Sequence, residues 1–208
     1  MATISADVVR QLRERTGAGM MDCKRALEHA AGDMEAAADF LRKQGLATAA
    51  KKAGRVAAQG VVEAYVHAGG RIGVLIEVNC ETDFVANTDD FRQLCHDLAL
   101  QVAASSPAYV SREHVPPEVA AKEADILRAQ AEQSGKPAPV IEKMVEGRIA
   151  KFYEEVCLLE QPFIRSPEMT VGTRVAETVA KTGENIQIRR FSRFEVAEGL
   201  EGAASTQG

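Results

Sequence analysis

The sequence predicts an α+β fold in which a small helical head precedes a core built on an antiparallel sheet. In the first 57 residues, apolar residues recur three or four positions apart between glycine-containing turns, which is typical of short amphipathic helices. From Gly60 the pattern changes to two strand-like apolar runs around Gly69 and Gly70, which predicts a β-hairpin with a tight turn. Amphipathic helices and a last strand-like run follow.

Three helices are predicted for the head, residues 1–57. Ser5 is a suitable N-cap for the first helix and Asp22 for the second, because their side-chain oxygens accept from free amides of the first turn. The third helix is expected to end near Gly45. From about residue 46 the chain is rich in Ala and Lys, which predicts a helical linker to the core.

The core is predicted to span residues 58–208. After the β-hairpin, Asn87 or Thr88 opens an amphipathic helix whose apolar positions are three or four apart. Two further helices flank a Gly/Pro turn within residues 117–155, which predicts a protruding antiparallel coiled-coil hairpin.

The last third of the sequence predicts two strands and a helix. The run Val156 to Ile164 is a candidate strand, and Val171 to Lys181 a short helix stopped by Gly183. Strand-like residues follow from Ile186, and the tail is expected to fray from about residue 199.

Charge and composition exclude several classes of function. The 208 residues carry a net charge of -5, and the ten Lys and Arg of the head stand against seven Asp and Glu. The remainder has a net charge of -8, so no cationic stripe for nucleic acid is predicted. No run approaches the ~18 apolar residues of a membrane span, and residues 1–7 lack a secretory signal pattern. A cytoplasmic protein that meets a protein partner is expected.

Neither the cysteines nor the histidines predict an active site. The cysteines form no CxxC pair, so we expect small core residues rather than ligands of a metal or cofactor; they are Cys23, Cys80, Cys95 and Cys157. The four histidines fall in separate elements. The sequence also lacks a P-loop, a dinucleotide fingerprint and a nucleophile elbow, so neither catalysis nor direct nucleotide binding is expected.

The first informative segment runs from Leu12 to Leu27 and carries Met20 and Met21 beside a glycine turn. Thioether side chains are flexible and polarizable, so they suit an adaptable contact with a partner. The same residues could instead pack between the helices of the head. Chemistry alone leaves both interpretations open.

The second informative segment runs from Glu77 to Asn87, between a strand and a helix. Asp83 and Phe84 could protrude together, with Phe84 inserting into an apolar pocket of a partner. Alternatively, Phe84 fills the core under the helix and Asp83 makes a local turn.

Both segments resemble the signature motifs of the elongation factor Ts family. Leu12–Leu27 is similar to the family pattern with its Thr-Gly-x-Gly-Met-Met sequence, and Glu77–Val85 to Glu-Val-Asn-Cys-x-Thr-Asp-Phe-Val. The resemblance covers about residues 4–202. It implies a ubiquitin-associated-like three-helix head and an α+β core with a coiled-coil hairpin. The core has room for about one half of the long family form, so a homodimer or a 2:2 complex is plausible.

The resemblance also implies a partner and a set of contact residues. The partner would be elongation factor Tu, in its GDP-bound and nucleotide-free forms. The segment that inserts beside the partner's Mg²⁺ and dislocates it would be Thr82, Asp83, Phe84 and Val85. Arg13, Met20 and Met21 of the head would hold the same nucleotide-binding domain. The chain would act as a guanine-nucleotide exchange factor without a catalytic site of its own.

Two alternatives come from other classes of protein. Small three-helix heads can bind ubiquitin-like folds, so a non-catalytic binding adaptor is one. It would not need Thr82–Val85. The other is a thiol enzyme using Cys80 or Cys23, which would require an accessible thiol of lowered pKa.

Overall fold

The computed structural model describes residues 4–199 of the chain. The predicted fraying from about residue 199 therefore concerns residues that lie almost entirely outside this range. The described part is a mixed helical and sheet structure with the order α1–α3, β1–β2, α4–α7, β3–β4, α8, β5. This agrees with the predicted α+β class.

The head consists of three helices: α1 (Ala6–Thr16), α2 (Met20–His29) and α3 (Met34–Lys52). The Ser5 hydroxyl caps α1 by accepting from the Val8 amide, as predicted, and the Asp33 carboxylate caps α3. The predicted cap at Asp22 is wrong. Helix α2 begins three residues after Gly17, and the extended backbone of Gly19 serves as its N-cap, so Asp22 lies inside the first turn and pairs with Arg25.

Apolar side chains from all three helices form the core of the head. The buried set is small and dense, and it comprises Val9, Leu12, Cys23, Ala26, Leu27 and Ala37. Val9, Leu12, Ala26 and Leu27 lie on the inward faces that the three- and four-residue spacing predicts. In the third helix the buried residue is Ala37, whereas the predicted Met34, Phe40 and Leu41 are only partly buried. A stacked contact between His29 and Phe40, with ring centroids 4.2 Å apart, adds to the packing at one edge.

Helix α3 does not end near Gly45, as the sequence suggested, but continues without interruption to Lys52. Gly45 is buried, and a Cβ atom built there would lie 3.7 Å from the Cβ of Ala180 in α8. That distance is an ordinary van der Waals contact, so glycine is not required here, and its cost of about 1 kcal/mol relative to alanine does not end a well-packed helix. Residues 46–52 are therefore a direct extension of the head's last helix.

Three strands form the main sheet in the order β1–β2–β5, with β1 at Gln59–Val66, β2 at Ile72–Cys80 and β5 at Gln187–Glu195. The predicted β-hairpin is confirmed, although its connection spans residues 67–71 rather than a two-residue turn. Gly60 has a φ of +145°, and a Cβ there would lie 2.2 Å from the carbonyl oxygen of Val78. Only glycine permits this close pairing of β1 with β2.

The short helix α4 (Asp83–Ala86) leads into α5 (Asp89–Ser105). The Thr88 hydroxyl accepts from the Phe91 amide, so Thr88 opens α5 as one of the two predicted residues. The predicted inward positions of α5 are buried: Phe91, Leu94, Leu98 and Val102.

The helices α6 (Pro117–Glu132) and α7 (Ala138–Val156) pack against each other as a helical hairpin. Gly135 in the connection has a φ of +65°, which glycine adopts without strain. Arg128 pairs with Glu142, and Arg148 donates to Gln130 across the hairpin. The coiled-coil character of the pair stays a prediction.

The predicted strand from Val156 to Ile164 is largely wrong. Val156 completes α7, a 3₁₀ turn covers Leu158–Glu160, and only Pro162–Phe163 forms a short strand, β3, paired with β4 (Ser166–Thr170). The apolar run is instead held by single backbone bonds, in which the amides of Leu158 and Leu159 donate to the carbonyls of Tyr109 and Val110. Helix α8 (Val171–Thr182) then ends at Gly183, as predicted.

The described residues form two compact units. The first takes in residues 4–63, 77–95 and 173–189, and the second takes in residues 64–76, 96–172 and 190–199. The boundary between head and core near residue 57 stays a prediction.

Candidate functional site

The segment from Thr82 to Ala86 forms a capped helical turn directly after β2. Thr82 has the extended backbone typical of an N-cap, with φ -127° and ψ 156°, and its hydroxyl accepts from the Val85 amide at 3.4 Å. At the other end, the Asn87 side chain donates to the Asp83 carbonyl at 2.9 Å. Both ends of this turn are thus fixed by side-chain hydrogen bonds.

The turn divides its side chains sharply between solvent and core. Phe84 is 79% exposed, whereas Val85 and Ala86 are 4% and 6% exposed. The alternative in which Phe84 fills the core is therefore excluded. Thr82, Asp83 and Phe84 are exposed to solvent, whereas Val85 is buried and holds the turn against the core. Val85 as a whole residue therefore offers a partner almost no surface in this conformation.

A carboxylate from a distant part of the chain supports the turn. One oxygen of Glu184, Oε2, accepts from the backbone amides of Glu81 and Thr82 at 3.1 and 3.0 Å. Its other oxygen, Oε1, accepts from the Thr82 hydroxyl at 2.6 Å. Sequence reasoning missed Glu184, and the one local signal was its position directly after the helix stop at Gly183.

Asn185 extends this support toward the end of α3. Its backbone amide donates to Glu81 Oε1 at 2.7 Å, and its side chain donates to the Arg55 carbonyl at 2.7 Å. Arg55 in turn forms an ion pair with Glu81 at 3.5 Å. Asn185 is only 3% exposed, so its polar groups are satisfied within the first unit.

The head presents the second predicted set of residues. Met20 and Met21 form the first turn of α2 and are 43% and 67% exposed, and Arg13 is exposed on α1. The interpretation in which both methionines pack inside the head is therefore not supported for Met21. Arg15 is already bound within the head, because its guanidinium donates two hydrogen bonds of 2.6 and 2.8 Å to the Glu35 carboxylate. These bonds lower the pKa of Glu35.

A cleft of about 270 Å³ lies in the first unit between the head helices and α8. Its lining mixes both signs of charge, from Asp22, Arg25, Arg42, Glu177 and Lys181. Several of these groups are already paired: Asp22 with Arg25, Glu177 with Arg174 and Lys181 with Asp90. The cleft therefore lacks the uniform positive character of a phosphate site.

The cysteines are poorly suited to nucleophilic chemistry. All four are free and buried. Burial raises the pKa of Cys95 to about 12 and that of Cys157 to about 11, and it also raises the pKa values of Cys23 and Cys80. A neutral, enclosed thiol neither attacks nor binds a metal readily, which counts against a thiol enzyme.

Residues 4–199 contain neither a candidate metal site nor a candidate membrane span. No group of three or more His, Cys, Asp or Glu side chains in this part of the chain is arranged to hold a metal ion. None of its helices is both long enough and apolar enough to span a membrane.

Fold and site together define an α+β protein that exposes an aromatic side chain on a firmly capped turn. The family profile described as Elongation factor TS matches residues 37–178. The chain is 66% identical over 197 residues to elongation factor Ts of Carboxydothermus hydrogenoformans, covering 95% of this chain and 91% of the relative. It is 65% identical over 197 residues to that of Moorella thermoacetica, covering 95% and 97%. The chain belongs to the elongation factor Ts family, which confirms the resemblance seen in its two motifs.

Proposed function

We propose that this chain promotes the release of GDP from elongation factor Tu during translation elongation in the cytoplasm. It does so as a nucleotide-exchange factor, by binding rather than by a chemical step. The observation that carries the proposal is the exposure of Phe84, at 79%, on a turn fixed at both ends. An aromatic side chain held in this way is well suited to enter an apolar pocket of a partner.

Asp83 supplies the electrostatic part of the mechanism. It is exposed beside Phe84 at the start of α4, and an ionised carboxylate only accepts hydrogen bonds. When Phe84 inserts near the Mg²⁺ of elongation factor Tu, Asp83 competes for the water molecules and side chains that hold the metal. Loss of the metal leaves the phosphate charge of GDP poorly compensated, and GDP departs.

The head supplies further binding contacts with the same partner. Met20 and Met21 offer adaptable apolar contacts, and Arg13 adds a positive charge from the neighbouring helix. Binding to the GDP-bound and nucleotide-free forms must be coupled to nucleotide affinity by the same factor in both directions. Each tenfold change in that affinity requires about 1.4 kcal/mol from the interface.

Self-association is part of the proposal. Three strand residues of the second unit, Val66, Leu75 and Phe194, are 68%, 50% and 68% exposed. Large exposed apolar side chains on a sheet favour contact with another protein surface. A homodimer, and hence a 2:2 complex with elongation factor Tu, is tested by sedimentation equilibrium of the chain alone and of the complex.

The function is tested by stopped-flow release of fluorescent GDP from purified elongation factor Tu. The wild-type chain is expected to accelerate release strongly. Phe84→Ala should reduce the maximal acceleration roughly 30-fold or more, because removing a central aromatic anchor costs about 2 kcal/mol or more. Ile164→Ala, which trims an exposed apolar side chain of the second unit, serves as the matched control.

The outcomes separate the function from its mechanism. Acceleration by wild type and by Phe84→Ala alike would retain the exchange function and exclude the turn as its wedge. No acceleration by wild type would overturn the proposal and favour the binding-adaptor alternative. Asp83→Ala tests the metal step, because its defect should shrink when Mg²⁺ is chelated in advance.

A further inference from the structure

The backbone next to Phe84 is held by a side chain from the last segment of the first unit, about 100 residues further along the chain. We propose that Glu184 is a positioning residue for nucleotide exchange: it fixes the Thr82 cap, and through that cap it holds Asp83 and Phe84 ready to insert. The inference rests on the exchange function proposed above. It goes beyond that function by assigning a role to a residue outside both signature motifs.

Glu184 makes an unusually complete set of contacts with the turn. Its carboxylate accepts three hydrogen bonds, from two consecutive backbone amides and from the Thr82 hydroxyl. The amides of Glu81 and Thr82 lie where the ladder of β2 has ended and the bonds of α4 have not begun. Bonds from such amides to an ionised acceptor are stronger than those between neutral groups.

The Thr82 hydroxyl links Glu184 to the helical turn itself. By donating its proton to Glu184 Oε1 at 2.6 Å, the hydroxyl leaves a lone pair free to accept from the Val85 amide. A hydroxyl without this acceptor can rotate and offer its proton elsewhere. Glu184 therefore sets the orientation in which Thr82 acts as an N-cap.

Glu184 is itself held in place by its neighbours. Gly183 adopts a φ of +76°, which turns the chain out of α8, and its carbonyl accepts from the Lys52 side chain. On the other side, Asn185 is buried and its amide donates to Glu81. The acidic residues Glu81 and Glu184 thus bind backbone amides of each other's segments, which ties residues 81–82 to residues 184–185.

Phe84 depends on this support because its own side chain has little packing to hold it. With 79% of its surface exposed, its position follows that of the backbone of α4. A loosened turn would have to be ordered again when the partner binds, and that cost reduces the gain from insertion. None of the Glu184 bonds goes to Arg13, Met20 or Met21 of the head, so we expect the contacts of the head with the partner to be unaffected.

The experiment compares Glu184→Ala with Glu184→Gln and with the control Glu154→Ala, which removes an exposed carboxylate from α7. Glutamine keeps an oxygen for the two amides, but its NH₂ group replaces the oxygen that accepted from the Thr82 hydroxyl, so the hydroxyl proton loses that acceptor. Two readouts are taken on the full chain: stopped-flow release of fluorescent GDP from elongation factor Tu, and hydrogen exchange of the amides of residues 80–88. Circular dichroism confirms folding of each variant.

Glu184→Ala is expected to lower the maximal rate of GDP release about tenfold, with less than about a twofold change in the half-saturating concentration. Its Glu81, Thr82 and Val85 amides should exchange at least ~10-fold faster. Glu184→Gln should keep the exchange of the Glu81 and Thr82 amides close to wild type but leave the Val85 amide fast, with a rate of GDP release between those of wild type and Glu184→Ala. Glu154→Ala should match wild type. If Glu184→Ala does not fold, Thr82→Val must show the same selective loss of maximal rate.

Contrary results are distinguishable from failure of the exchange function. Unchanged hydrogen exchange in Glu184→Ala overturns the inference without reference to elongation factor Tu. Faster exchange of the amides with an unchanged rate of GDP release, alongside an impaired Phe84→Ala, overturns it as well. If wild type fails to accelerate release, the proposed function fails and the positioning role falls with it, even where the amides respond to Glu184→Ala.

Discussion

Two places in the first unit expose large apolar side chains, and they do so by different means. Phe84 sits on a four-residue turn whose cap residue, Thr82, donates to the Glu184 carboxylate and whose Asp83 carbonyl accepts from the Asn87 side chain. Met20 and Met21 begin a ten-residue helix whose opposite face, including Cys23 and Leu27, is buried in the head. The turn is thus fixed by polar contacts, both local ones and those to Glu184 102 positions away, whereas the helix is fixed by apolar packing within the head.

The difference indicates what each region is suited to do. A phenylalanine has two side-chain torsions, so a fixed backbone leaves it as a rigid wedge. Methionine has three and adapts to the surface that it meets. We therefore expect changes at the turn to affect the maximal rate of GDP release, and changes in the head to affect affinity for the partner.

The largest effect is expected from Leu27→Ala, which tests whether the head is stabilised separately from the turn. Leu27 is fully buried in the head, so the substitution should destabilise the head by about 2–5 kcal/mol. Chemical denaturation should report this loss, and the half-saturating concentration in GDP release should rise while amide exchange in residues 80–88 stays unchanged. The control is Leu46→Ala, at a leucine that is 44% exposed. An equal loss of stability in the control would contradict the packing argument.

A smaller effect is expected from replacing both methionines, as Met20→Ala/Met21→Ala. Because alanine lacks the flexible apolar arm, the half-saturating concentration should rise about fivefold to tenfold, which corresponds to about 1–1.4 kcal/mol. The maximal rate should be retained. The variant Met20→Leu/Met21→Leu preserves volume and should lose less. A fall in maximal rate without a change in half-saturation would reverse the roles assigned to the two regions.

The smallest effect is expected at Glu177 of α8, where burial disfavours the charged form of the carboxylate. Burial raises its pKa above the ordinary value of 4.5, although Arg174 and Arg42 oppose the shift. The folded chain therefore holds this proton more tightly than the unfolded chain does, and stability is lost as pH rises from about 4.5 through the folded pKa.

Glu177→Gln removes that titration. We expect a gain of roughly 0.5 kcal/mol at pH 7, within the range of substitutions outside a core, and none below pH 4.5. Thermal unfolding of both proteins across this pH range measures the difference. A destabilised variant at pH 7 would mean that the ion pair between Glu177 and Arg174 outweighs the burial of the carboxylate.

Local chemistry made much of the fold predictable. The caps at Ser5 and Thr88 and the helix stop at Gly183 each depend on residues within a few positions, so their sequence signals were sufficient. The same reasoning failed where two local signals competed. Asp22 is a good cap, but the extended Gly19 already begins α2.

Longer apolar segments were harder to assign, because periodicity does not reveal what a segment pairs with. The run from Val156 to Ile164 has strand character, yet the bonds it makes go to the carbonyls of Tyr109 and Val110 in a connecting segment. Helix α3 passes through Gly45, which is buried beside Ala180 of α8. Neither neighbour can be recognised from the segment itself.

The sequence by itself determined the α+β class, the order of most elements and the two motifs that mark the family. Tertiary structure alone decided that Phe84 faces solvent and Val85 the core, and that Glu184 supports their backbone from 102 positions away. The physical reason is the sequence distance over which each kind of interaction acts. Caps, turns and helical periodicity arise from interactions within a few residues, whereas exposure and long-range hydrogen bonds depend on which distant segments the folded chain brings together.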